Sequence, residues 1–194
     1  MSLKNLGLLA LFPTLVLAGP QQQFFAALGA QCGKAFEARV VESEAADQDW
    51  REARIVMHVR DCSDSELRIP LQVGENRSRI WVLRKTSDGL ELKHDHRHQD
   101  GSEDRLSQYG GHTVESGSAG RQAFPADAHS QALFKAQGLD AAVANTWILE
   151  IEPGKHFSYG LSRPGRRFRM EFDLTRPVAP PPPAWDQASG VSLY

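Results

Sequence analysis

Residues 93–100 read Lys-His-Asp-His-Arg-His-Gln-Asp, a run of side chains able to take up protons or bind metal. His94, His96 and His98 recur at every second position, which on a β-strand puts all three on one face. Imidazole binds zinc, copper, iron and nickel, and two histidines at i and i+2 of a strand reach one ion. Three do not, because the outer Cα atoms of a straight strand lie roughly 13 Å apart. A transition-metal site, zinc for example, would therefore use His94 and His96 with groups from elsewhere. His98, His112, His156, Asp100 and Asp104 are the candidates. The same column equally suits a hydrogen-bonded rim that contacts a small ligand, with Tyr109 and His112 as further contacts.

Other chemistry is thinner. The segment 100–104, Asp-Gly-Ser-Glu-Asp, has oxygen ligands without the full calcium-loop pattern and reads as a hairpin turn. No Gly-Xaa-Ser-Xaa-Gly elbow is present to expose a nucleophilic serine. Arg163, Arg166, Arg167 and Arg169 concentrate charge near one turn, but alternation makes Arg167 and Arg169 a solvated face balanced by Glu171 and Asp173. His58 reads as structural, and Trp81, Trp147 and Tyr159 as core residues.

Strands must position the histidines. In 90–98, Leu90 and Leu92 mark the core-directed face, and parity adds His94, His96 and His98 to it, while Glu91, Lys93, Asp95 and Arg97 point away. A bulge would reverse this assignment, since a slip of one residue flips every side chain. Ser87-Asp88-Gly89 supplies hairpin chemistry to the preceding segment 78–84, whose apolar run around Trp81 suggests cover on both faces. Period-two alternation also predicts strands over 36–42, 54–60, 66–72, 112–116, 146–152, 156–162 and 167–174. Pro164 and Gly165 occupy the central positions of a type II turn. Tyr109-Gly110-Gly111 reads as a bend or a close backbone approach. Helices are expected at 21–33, around Phe24, Phe25 and Leu28, and at 128–137, capped by Asp127 and ended by Gly138.

This pattern predicts a mainly β protein, an antiparallel barrel with a short N-terminal helix and one further helix; a β-sandwich is the alternative. The short helix followed by a meander of hairpins resembles the lipocalin-type (calycin) plan. The chain is also similar to uncharacterised secreted proteins of Gram-negative bacteria that carry a His-Asp-His-Arg-His segment. That resemblance implies export but no activity and no site residues.

The N-terminus has the zones of a secretory signal. Lys4 is followed by an apolar stretch over 6–17, and Val16 and Ala18 fit a cut before Gly19. The expected organisation is a signal peptide at 1–18, one β-rich domain at 19–177 and a proline-rich extended or disordered tail at 178–194. No other stretch approaches membrane-spanning length. Cys32 and Cys62 are the only cysteines, and in an oxidising compartment they form one disulfide. The 22 Lys and Arg nearly balance 24 Asp and Glu, which excludes a broad electrostatic footprint for nucleic acid. The expected function is a non-enzymatic, exported module that binds a small ligand at the barrel interior or mouth. The alternatives are a transition-metal protein or metal-dependent enzyme built on His94, His96 and His98, and an envelope-associated interaction protein using its tail.

Overall fold

The computed structural model describes residues 18–190. The expected signal peptide falls almost wholly outside the described residues. Helix α1 (Pro20–Gly29) leads into strand β1 (Ala35–Glu42), helix α2 (Gln48–Glu52), β2 (Ile55–His58) and the two-residue β3 (Asp61–Cys62). Then come β4 (Glu66–Val73), β5 (Asn76–Thr86), β6 (Gly89–His96), β7 (Tyr109–His112) and β8 (Arg121–Pro125). Helix α3 (Ala128–Ala136) precedes β9 (Thr146–Glu152), β10 (His156–Arg163) and β11 (Arg166–Val178). Every pairing is antiparallel, and the sheet runs β7-β6-β5-β4-β2-β1-β11-β10-β9-β8, with β3 beside β4.

The two ends of that order meet. Gly111 bridges Ala126 just past β8, and the Asp127 amide donates to the Gly110 carbonyl at 3.0 Å. The sheet is thus nearly closed into a barrel. Glycine is required at the seam. A Cβ on Gly110 would stand 1.8 Å from the Leu92 oxygen, and one on Gly111 would stand 1.8 Å from the Pro125 oxygen. The close approach expected of Tyr109-Gly110-Gly111 is present, but within a strand. The strand expected at 112–116 lies earlier, ending at His112.

Alternation fills the interior. Phe36, Met57, Ile69, Trp81, Leu92, Leu149, Phe157, Met170 and Phe172 belong to one buried apolar cluster. Helix α1 adds Phe24, Phe25 and Leu28 to it, at the end of the barrel where β5 turns into β6, with Lys85 Nζ 5.1 Å from the Phe25 ring. The turns are those the residues favour. Thr86 pairs with Gly89 across Ser87-Asp88, and Arg163 pairs with Arg166 across a turn in which Gly165 has φ 72°. In α3 the Asp127 carboxylate accepts from the Ser130 amide at 2.8 Å, and Gly138 stops the helix at φ 70°.

The outer face of β4–β6 is covered by the chain end. Ala184 packs on Ile80 and Val82, and Arg77 donates to the Pro183 carbonyl at 2.8 Å. Asp186 accepts from Arg60 at 2.8 and 2.7 Å and from Arg68 at 3.3 Å. Arg68 and Arg97 both reach Asp95, at 2.9 and 2.7 Å. Asp95 therefore points away from the barrel interior yet is buried. The segment 184–190 is a docked turn ending in a 3-10 helix, Trp185–Gly190.

Cys32 and Cys62 are disulfide-bonded, tying the end of α1 to β3 across a sequence separation of 30. Replacing both with serine is expected to cost about 3–4 kcal/mol, mainly by freeing the unfolded chain. Urea unfolding of Cys32→Ser/Cys62→Ser beside the native protein measures this, and an unchanged midpoint would contradict it.

Candidate functional site

At the end of the barrel away from α1, the interior opens into a cavity of about 260 Å³. Strand parity supplies its walls. Arg79 and Trp81 face inward from β5, His94 and His96 from β6, Tyr109 from β7, Trp147 from β9 and Tyr159 from β10. Trp50 of α2 and Phe134 of α3 close over them. Trp81 stacks on Tyr159 at 4.4 Å between centroids, and His94 on Tyr109 at 4.6 Å. Trp147 lies 5.0 Å from His94 and 5.6 Å from Tyr109. The result is an aromatic box suited to a flat apolar body.

The polar groups in the box have defined states. One nitrogen of His94, Nδ1, faces the Tyr109 carbonyl at 3.2 Å, and a carbonyl only accepts, so Nδ1 carries the proton. Burial drives the His94 pKa down to about 3, reinforced by His96 and Lys93. The ring is therefore neutral, and its Nε2 accepts from the Tyr159 hydroxyl at 2.8 Å. His96 is lowered to about 4, by burial and then by Arg79, and its Nε2 lies 3.1 Å from the Tyr109 hydroxyl. Burial pushes Tyr109 up to about 12 and Tyr159 well above the usual phenol value. At neutral pH both histidines and both tyrosines are uncharged.

Two arginines reach the cavity in different circumstances. Arg166 is clamped by both oxygens of Asp47, each at 2.5 Å. The Arg79 guanidinium lies 5.0 Å from the Trp50 ring centroid; its charge acts on His96 and on the neutral phenols of Tyr109 and Tyr159, and among the described residues it makes no ion pair with a carboxylate. Burial lowers its pKa, yet arginine stays protonated at any physiological pH.

The residues singled out in the sequence separate into two groups. His94, His96 and Tyr109 come together on the cavity wall. His98, His112, Asp100 and Asp104 do not. Strand β6 ends at His96, so the inward parity stops there, and His98 is exposed beside Asp104 at 3.7 Å. His112 pairs in register with Glu91 and lies outside, 3.6 Å from Glu91 and 3.8 Å from Asp127. Asp100 caps a turn through Ser102, and Asp104 accepts from the Leu106 amide at 2.7 Å. His156 is 3.6 Å from Glu152. Among the described residues no three His, Cys, Asp or Glu side chains gather as metal ligands. Of the groups expected to complete a site around His94 and His96, Asp104 lies nearest, its amide bonded to the His96 carbonyl at 2.9 Å and its charge acting on His96 from outside the cavity wall. The others are dispersed, and both nitrogens of His94 are already bonded.

No family model, curated protein or solved structure matches this chain.

The residues missed by sequence reasoning are Arg79 and Trp50. Arg79 shares the parity of Trp81 and Leu83 in a run read as apolar, so its inward direction was available from alternation. Trp50 carried no such signal, because it sits in a five-residue helix between strands. Trp81, Trp147 and Tyr159 are buried, as core residues should be, and they also line the cavity. Of the four arginines near the β10–β11 turn, Arg166 is held by Asp47, Arg169 pairs with Glu150 and Glu171, Arg163 donates to Asn145, and Arg167 is exposed with Glu42 at 3.9 Å.

Proposed function

We propose that the chain is exported through a signal peptide ending near Ala18, and that the mature protein is a non-enzymatic module binding a small apolar or aromatic molecule in the barrel. The observation that carries the reading is the aromatic cavity of about 260 Å³. It lies in the mouth of a barrel, where binding sites recur. A cavity of about 150 Å³ takes benzene, so this one suits a ligand on the order of ten non-hydrogen atoms. Ligands of that size bind roughly in the micromolar to millimolar range. The Cys32–Cys62 disulfide supports export, because such bonds persist in oxidising compartments. His94 and His96 serve in this reading as neutral wall groups that hold the tyrosines in place.

The test uses the emission of Trp50, Trp81 and Trp147, all on the cavity wall. Titration with 3-phenylpropanamide and 3-phenylpropanoate is expected to change it saturably, and EDTA is expected to leave the change intact. Leu106 also lines the cavity, and Leu106→Trp should fill it and abolish the response while preserving the far-ultraviolet circular dichroism. Absence of saturation with both compounds, or equal binding by Leu106→Trp, would overturn the reading.

A further inference from the structure

We infer that the ligand of this cavity is a small monocarboxylate with an apolar or aromatic body, its carboxylate gripped by Arg79; the inference rests on the binding function proposed above. Every other half-buried arginine among the described residues has a polar partner: Arg77 donates to the Pro183 carbonyl, Arg163 donates to Asn145, Arg169 pairs with Glu150 and Glu171, and the rest meet carboxylates. Arg60, Arg68, Arg84, Arg97 and Arg166 each meet a carboxylate at 2.9 Å or less. Arg79 is half-buried as well, and among the described residues no carboxylate faces it. Burying a cation without a partner is costly, so such groups are normally paired. Here the missing partner is of a kind a ligand can supply.

The rest of the charge inventory narrows what that ligand is. Among the described residues, Asp47 is the one acidic residue on the cavity wall, it is already engaged with Arg166, and no lysine lines the cavity. His94 and His96 are neutral, as are the two tyrosines. Arg79 thus offers one uncompensated positive charge, which balances one negative charge and not the two of a phosphate monoester. Its guanidinium is a planar fork that matches the two oxygens of a carboxylate. Trp50 lies 5.0 Å from the guanidinium carbon and helps hold it at the wall.

Arg79 also sits where an amphipathic ligand needs it. It pairs across β5–β6 with His96, one step toward the mouth from Trp81 and His94, which pair with each other. A ligand with its ring in the box of Trp81, Tyr159 and Trp147 has its head beside Arg79. Next to that head stand His96 and the Tyr109 hydroxyl, bonded to one another at 3.1 Å.

The experiment compares isosteres. The full-length mature protein is titrated with 3-phenylpropanoate and with 3-phenylpropanamide, which share shape and differ in charge. Hydrogen bonds to charged groups predict roughly tenfold to hundredfold tighter binding of the carboxylate. Arg79→Met should erase that preference by weakening the carboxylate alone, and Arg79→Lys should restore part of it. The native protein's preference needs no variant, so a variant that fails to fold leaves the test standing. Equal binding of the two compounds by the native protein, or a preference that survives Arg79→Met, would overturn the carboxylate assignment while leaving the binding function intact. Failure of both compounds to bind would overturn the function and this assignment together.

Discussion

Acidification from pH 7 to pH 4.5 is expected to remove about 5 kcal/mol of folding stability through two buried histidines. His94 and His96 have folded pKa values of about 3 and about 4, against 6.5 for an ordinary histidine. Below pH 6.5 the unfolded chain takes up a proton at each site while the folded protein does not, so stability falls with pH. The fall continues until pH reaches the folded values and flattens beneath them. Each site contributes about 2.5 kcal/mol over this interval at 1.36 kcal/mol per pKa unit. Against a typical stability of about 5–15 kcal/mol the effect is large.

Urea unfolding at pH 7, 6, 5 and 4.5 measures the dependence. Replacing both residues by glutamine should cut the slope by close to two protons between pH 6 and pH 4.5. His58, also lowered by burial, is present in both proteins and cancels in the comparison. The carboxylates held below their ordinary 3.8, Asp47, Asp127 and Asp186, contribute below that window. Equal slopes for the native and variant proteins would show that these imidazoles are not held neutral.

The second large effect belongs to the barrel seam. Gly110→Ala is expected to cost about 3 kcal/mol or more, because the added methyl meets backbone and not a flexible side chain. The Leu92 oxygen would lie 1.8 Å from it, so β6 and β7 must part. The Gly110 amide and carbonyl are both bonded to the Ser130 hydroxyl, at 2.7 and 2.8 Å, so parting the strands also frees the start of α3. Tyr109 pairs in register with His94, and its ring would leave the cavity wall. Loss of stability should therefore come with loss of ligand response. Gly29→Ala is the control, since a methyl there has only Leu67 at 3.7 Å. If both variants unfold at the same urea concentration, the seam is not closed as described.

The contrast between Arg79 and His112 shows how far local pattern reaches. Both were assignable to a face of their own strand by alternation. For Arg79 the face was inward, but its lack of a carboxylate depends on β6, α2 and β10 arriving around it. For His112 the strand itself was misplaced, because pairing of Gly110 with Lys93 drew the strand toward Tyr109. Strand β8 went unseen for a related reason. Arg121–Pro125 is only five residues long and has a single large apolar side chain, Phe124, and only its pairing with β9 makes it a strand.

By itself the sequence determined the mainly β class, the hairpins at Ser87-Asp88 and Pro164-Gly165, the Asp127 cap, the inward parity of His94 and His96, and the cysteine pair. Each is set by neighbours in the chain, or by there being no other cysteine to choose. Only the tertiary structure decided that His98 and His112 leave the site, that the chain end buries Asp95 with Arg68 and Arg97, and that Arg79 faces an aromatic cavity without a carboxylate. Those outcomes depend on which distant segments meet. Alternation aims a side chain at a face but does not specify what closes over it.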